Sequence, residues 1–189
     1  LNISRVPVRE ALRLLESQGI VVNEPYKGIR LMPLTKSRVA QVLEVRLALE
    51  LIAVRRIVEQ QKHRDADSVK RLERCIDEMR LMAIRKDSYG LALADVAFHR
   101  ALCNMSGNEF LQTLWEGVAR QLTIVIGLST LDKPMRDIVD EHRALLAAIL
   151  TGSLAKIQTV LGEHIRDQNS DVDLNKIISE RGKIAGTAK

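Results

Sequence analysis

From Leu43 onward, apolar side chains recur every three or four residues, in runs bounded by capping residues or glycine stops. That spacing matches the turn of an α-helix and not the alternation of a strand. The first run carries Leu43, Leu47, Glu50, Leu51 and Val54; Thr35, behind Pro33, can cap it, and it extends over about 35–62. Asp65 or Asp67 opens the second, with Val69, Leu72, Ile76 and Met79. Ser88 opens a third that stops at Ser106-Gly-Asn108, and a fourth over about 108–128 carries Leu111, Leu114, Trp115, Val118 and Leu122. Asp132 with Pro134 starts a fifth, stopped at Thr151-Gly152, and Ser153 caps a sixth that runs to about Ser170. Six such segments on short links predict an antiparallel six-helix bundle over 35–174. The stretch 175–189 is low in apolar content and expected to fray.

Composition agrees. Aromatics are only 3%, so the core must be built from Leu, Ile, Val and Ala, a balance that favours helices over a β-sandwich. With 46% hydrophobic and 28% charged residues, the chain suits a globular protein rather than a disordered one. No apolar run approaches the roughly 18 to 20 residues that span a bilayer, and the start has no signal-peptide layout. Cys75 and Cys103 lie inside helical patterns without CxxC spacing, so they read as reduced thiols of a cytoplasmic protein, although two cysteines can also form one bridge. A net charge of +5 permits nucleic-acid binding without requiring it.

Ahead of the bundle, 4–18 reads as a helix with Ser4 as N-cap and Pro7 in its first turn. Val8, Leu12, Leu15 and Ile20 form its apolar side, and Gly19 supplies the left-handed stop. Two short β-type runs, 20–22 and 29–32, flank Asn-Glu-Pro-Tyr-Lys-Gly and predict a hairpin. Helix then hairpin, over 1–34, is the second half of a winged helix-turn-helix. Ser4, Arg5, Val8 and Arg9 occupy the helix's first turns, where anions are favoured, and arginine suits bidentate contact with guanine or phosphate. Lys27 and Gly28 at the hairpin tip suit a wing against the adjacent backbone or minor groove. On charge pattern alone, an ordinary solvated helix is the stronger reading. The chain also opens without Met, inside this motif, so upstream sequence is expected to be missing.

Three of the four histidines fall in different predicted helices, and Asp95 precedes His99 by one helical turn on the same face. Asp95, His99, His142 and His164 together would make a transition-metal site inside a bundle, suited to Zn, Ni, Mn or Fe. The competing reading is four unrelated polar residues. His63, between Lys62 and Arg64, reads as surface or core filler. Four protein ligands leave open positions on a five- or six-coordinate ion, where a small organic acid could bind with Arg46 as a charge-assisted partner. Arg46 could instead form a surface ion pair with Glu50, four residues on. Arg100 and Arg120 are weaker effector-binding candidates, and Asn169, five residues past His164, is a candidate for a supporting role.

A metal-dependent enzyme acting on a small organic acid is the rival from another class. Against it, no HExxH motif and no nucleophile with an activating base stand near the ligands. Glu141 and Glu163 each precede a ligand histidine, but neighbouring helix positions diverge by about 100° and would point elsewhere. A purely structural metal bundle is a third reading, and it predicts no open coordination position.

The stretch Ser4-Arg-Val-Pro-Val-Arg-Glu-Ala-Leu, continued by Leu-Glu-Ser-Gln-Gly-Ile-Val, resembles the recognition helix and wing entry of GntR-family transcriptional regulators. The later motifs resemble the FCD effector domain of their FadR subfamily. These are Glu44-Val-Arg46-Leu-Ala-Leu-Glu50, Asp95-Val-Ala-Phe-His99-Arg-Ala-Leu, Ser106-Gly-Asn108, Glu141-His142-Arg-Ala-Leu and His164-Ile165. Metal-containing FCD domains place Asp, His, His and His at these four ligand positions, and an arginine facing the ligand cavity at the position of Arg46. The resemblance implies a cytoplasmic regulator, a repressor, that is not an enzyme. It implies a double-stranded DNA operator, a small carboxylate effector and a homodimer, with no membrane partner. The family's first two helices have no counterpart in this sequence.

Overall fold

The helix α1 (Arg5–Ser17) ends where Gly19 takes a left-handed backbone, φ 66°. The Ile20 amide then donates to the Leu15 carbonyl (3.0 Å) and the Gly19 amide to Glu16 (2.9 Å), satisfying carbonyls the helix end would orphan. This computed structural model describes residues 4–33, 35–129 and 133–170. Ser4 holds the N-cap position with extended backbone, yet its side chain makes no cap hydrogen bond. The strands β1 (Val21–Glu24) and β2 (Gly28–Leu31) pair antiparallel, with Val21 opposite Leu31 and Glu24 opposite Gly28. The first strand thus lies later than the expected 20–22, because Asn23 and Glu24 pair across the ladder while Ile20 contributes only its carbonyl to the Met32 amide (2.9 Å). Gly28 sits at φ 82°, a conformation that L side chains resist.

The chain divides into two compact units, Leu1–Thr35 and Lys36–Lys189. Within the first, Leu12 and Leu15 are half-buried and Val21 is buried, but Val8, expected on the apolar side, is 45% exposed.

The second unit is all helix: α2 (Lys36–Glu59), α3 (Ala66–Arg85), α4 (Ser88–Met105), α5 (Glu109–Ser129), α6 (Met135–Leu150) and α7 (Leu154–Ser170). Capping follows the side chains that compete best for orphan amides. Asp65 accepts from the Ser68 amide (3.1 Å), Asp87 from Gly90 (2.9 Å) and Asn108 from Leu111 (3.1 Å). Asp87, one residue before the expected Ser88, therefore caps α4. The first long helix ends at Glu59 rather than near Lys62, because Gln61 is left-handed (φ 54°) and a 3₁₀ turn, Lys62–Arg64, follows. That turn folds His63 inward against Gly152, where an added Cβ would stand 2.6 Å from the imidazole Nε2. His63 is therefore buried, as core rather than linker.

Helix α4 packs against α3, α5 and α2, while α7 lies on α2 and α6. Leu72, Leu91, Phe98, Trp115, Leu122, Leu145, Ile149 and Leu161 fill the core. Leu114, expected inside, is exposed, since the inward stripe of α5 runs through Leu111, Trp115, Ala119 and Leu122. Two charged residues, Arg46 and Glu50, are fully buried on α2 among these apolar neighbours. A charge pair in that position calls for an explanation beyond packing. The stretch 175–189, expected to fray, lies outside the described residues.

Candidate metal centre

Asp95 and His99 lie one turn apart on α4, and both are fully buried; α6 brings His142 and α7 brings His164 to the same point. One potential ligand atom from each of the four lies within 4.8 Å of all the others. A metal shell with bonds of roughly 2.1 Å spans about 4.2 Å between opposite ligands, so small adjustments close these atoms on one ion. His99 Nε2 is 3.1 Å from His164 Nε2, and His142 Nε2 is 3.3 Å from an Asp95 carboxylate oxygen. The rings are held in contact: His142 and His164 meet edge-on at 4.6 Å between centroids, and Phe98 sets its edge against His142 at 5.0 Å.

Each imidazole is oriented from behind. His142 Nδ1–H donates to the Ile138 carbonyl one turn earlier (2.7 Å), so its Nε2 carries a lone pair. His99 Nδ1 is 2.7 Å from Glu50, and His164 Nδ1 faces Glu141 at a longer 3.5 Å. Lys133 clasps Glu141 from the other side. An acceptor behind Nδ1 with Nε2 turned inward is how proteins fix histidine ligands.

Electrostatics agree with that reading. Burial, outweighing the pull of Asp95, brings His142 down to about 4, and burial with the Arg46 guanidinium holds His99 well below the ordinary imidazole value. Burial alone would raise Asp95, but the imidazoles of His142 and His99 and the Arg46 charge outweigh it and hold the carboxyl below its usual range. For Glu50, burial wins over the Arg46 contact and raises it. Burial would raise Glu141 too, but its contacts with His164 and Lys133 reverse this and take it to about 2. Both Asp95 oxygens and His142 Nε2 lack hydrogen-bond partners in this fully buried place. Lone pairs facing a carboxylate without a proton between them are satisfied by a cation, so the four residues fit a divalent metal ion.

Arg46 stands beside this cluster. Its Nε donates to Glu50 (2.8 Å), and its Nη2 is 3.9 Å from Asp95. The expected pairing with Glu50 is thus real, but it lies in the core rather than on the surface. Arg100 turns away to fork on Glu116 (2.5 and 3.1 Å) with its side chain 40% exposed, and Arg120 is exposed on the outer face of α5. The structure brings neither to the cluster, because α4 and α5 rotate these positions off their inward stripes. Asn169 falls on α7, but its side chain lies outside the described residues. Trp115 is a residue that sequence reading placed only in the core: it is fully buried, its ring centroid is 6.4 Å from that of His99, and Nε1 has no hydrogen-bond partner. A buried donor left without an acceptor costs about 1–3 kcal/mol.

In the first unit, Ser4, Arg9, Lys27 and Gly28 are exposed, and Lys27 pairs with Glu24 at 3.4 Å. The Arg5 side chain lies outside the described residues.

The FCD-domain family profile matches residues 41–167, from the first bundle helix through the last ligand histidine. The chain belongs to the FCD-domain group of GntR transcriptional regulators. Among its relatives, the "Probable D-xylose utilization operon transcriptional repressor" of Paenarthrobacter nicotinovorans is 26% identical over 165 residues, covering 87% of this chain and 71% of that one. The "Gluconate operon transcriptional repressor" of Bacillus subtilis is 28% identical over 178 residues, covering 91% and 72%. A solved GntR-family regulator from Pseudomonas syringae pv. tomato has the same fold, with a TM-score of 0.62 at 23% identity, covering 96% of this chain and 74% of that one. Among the described residues, no helix of this FCD chain is long and apolar enough to cross a membrane.

Proposed function

We propose that this GntR-type chain is a ligand-responsive repressor acting in the cytoplasm. In this reading residues 1–34 contact a double-stranded DNA operator, and the bundle of 35–174 senses a small carboxylate. The observation that carries it is the convergence of Asp95, His99, His142 and His164 in a fully buried cluster whose imidazoles are backed by Glu50, Ile138 and Glu141. These four residues would hold a divalent ion of the Zn, Ni, Mn or Fe class, which when bound supplies Lewis-acid affinity for a carboxylate oxygen. Arg46 offers the anion a second, charge-assisted contact. The "Gluconate operon" relative is named for a sugar acid, which suits an acid-sensing reading.

Binding rather than turnover is favoured because the acidic groups near the cluster are already engaged. Glu50 serves Arg46 and His99, and Glu141 serves His164 and Lys133, so neither is placed as a general base. The Cys103 thiol is fully buried and pushed up by burial, which keeps it a poor nucleophile. Two copies acting as a homodimer would match the two half-sites of a palindromic operator.

The test uses the metal-loaded protein and a DNA site selected from a random pool. At least one small acid should change DNA affinity by about 5- to 150-fold, and the DNA should change acid affinity by the same factor. DNA affinity indifferent to every acid, or turnover of one of them, would count against a sensor. On the DNA side, Arg9→Ala should weaken binding and reduce the slope of log affinity against log salt by about one. An unchanged slope and affinity would remove Arg9 from the interface.

A further inference from the structure

The metal reading accounts for the buried acceptors of the cluster, but it leaves the buried donor on Trp115 unanswered. An indole N–H cannot ligate a cation; it needs an oxygen acceptor, and buried tryptophans ordinarily find one. Trp115 is 0% exposed and comes from α5, a helix that supplies none of the four cluster residues. Its ring lies 6.4 Å from that of His99, tilted by 40°, which sets the buried indole beside one of the four cluster residues. Among the described residues, His63 Nδ1 is another buried nitrogen with no partner, but it belongs to the turn against Gly152. Trp115 is also the chain's single tryptophan.

Resting on the carboxylate reading above, we propose that Trp115 is a specificity-determining residue whose indole N–H donates to an oxygen of the effector outside its carboxylate. The carboxylate's two oxygens are matched by the cluster and by Arg46, which stands 3.9 Å from Asp95. The indole then selects a third oxygen, a hydroxyl or keto group on the acid's carbon chain. The effector class is therefore a hydroxy- or keto-carboxylate, and a plain alkanoate leaves the donor unsatisfied. Discrimination arises because a site built to hydrogen-bond a substrate oxygen rejects the analogue lacking it.

Acids that differ by one oxygen isolate this contact: lactate against propanoate, and malate against succinate. Calorimetric titration of the zinc-loaded full chain should show the oxygenated member of a pair binding about tenfold tighter, the worth of one well-made buried hydrogen bond. In Trp115→Phe, which keeps an aromatic ring but no donor, that ratio should fall to within about twofold, with zinc stoichiometry and binding of the plain acid retained. The wild-type protein gives an independent reading, because one tryptophan gives one indole N–H resonance. That resonance should move when lactate binds and stay nearly fixed when propanoate binds. A ratio preserved in Trp115→Phe, or an indole signal unmoved by a bound hydroxy acid, overturns the assignment of Trp115 while leaving carboxylate sensing intact. Plain acids binding as tightly as their oxygenated partners do the same. If no acid in either pair binds, the carboxylate reading itself fails, and this inference with it.

Discussion

Replacing His142 or His164 with alanine is expected to abolish stoichiometric metal in the purified protein. Changes to residues that merely orient a ligand usually cost about 10- to 100-fold in metal affinity, so loss of a ligand must exceed that range. The geometry gives no substitute. Glu141, the carboxylate behind His164, is already held by Lys133. Elemental analysis after dialysis against a weak chelator reads the result directly. A thermal measurement adds a second arm. Saturation at a thousandfold over Kd stabilises a folded state by about 4 kcal/mol, roughly 10 °C in Tm for a unit of this size. Wild type should show that increment on adding metal, and the alanine variants should not. Full retention of metal by His142→Ala would end the assignment of this cluster.

The largest effect on stability is expected at Glu50. Its two oxygens take the Arg46 guanidinium (2.8 Å) and His99 Nδ1 (2.7 Å), all three side chains being fully buried. Glu50→Ala leaves a guanidinium without its closest counter-ion in the core, and breaking a buried pair costs about 3–5 kcal/mol. Spread over a unit of this size, that is a fall in Tm of roughly 6–20 °C. Glu50→Gln keeps the shape and an acceptor oxygen. It should fold, with metal affinity reduced about 10- to 100-fold because His99 loses its anionic backing. A Glu50→Ala protein that melts within about 2 °C of wild type would show that Arg46 is compensated elsewhere, and that the pair does not anchor the site.

The legibility of the two regions in the sequence differs for physical reasons. Helix caps and stops are local: Asp65, Asn108, Gly19 and Gly152 act on amides a few residues away, so their roles could be read in one dimension. The end of α2 cannot be read locally, because Gln61 turns left-handed and the turn after it sets His63 against Gly152, some ninety positions away. Spacing alone puts Leu114 inside, yet the inward stripe of α5 is set by the helices packed against it, and Leu114 is exposed.

The same division applies to the site. Asp95 and His99 could be paired from their spacing because one helix turn puts i and i+4 on one face. That His142 and His164 reach the same point depends on how α6 and α7 lie against α4, which no local pattern encodes. Glu141 shows the limit most plainly. Its position beside His142 in sequence argues only that it points away from that imidazole; the fold then sets it behind His164 on the next helix.

By itself, then, the sequence determined the helical class, the caps, the recognition-helix motif and which residue types could make a metal site. Only the tertiary structure decided which of them meet: Glu50 behind His99, Arg46 in the core beside Asp95, Arg100 and Arg120 off the site, and the indole of Trp115 next to His99 without a partner. The reason is range. Hydrogen-bond capping and helical periodicity act over a few residues, whereas convergence of side chains from five helices is fixed by the packing of the whole bundle.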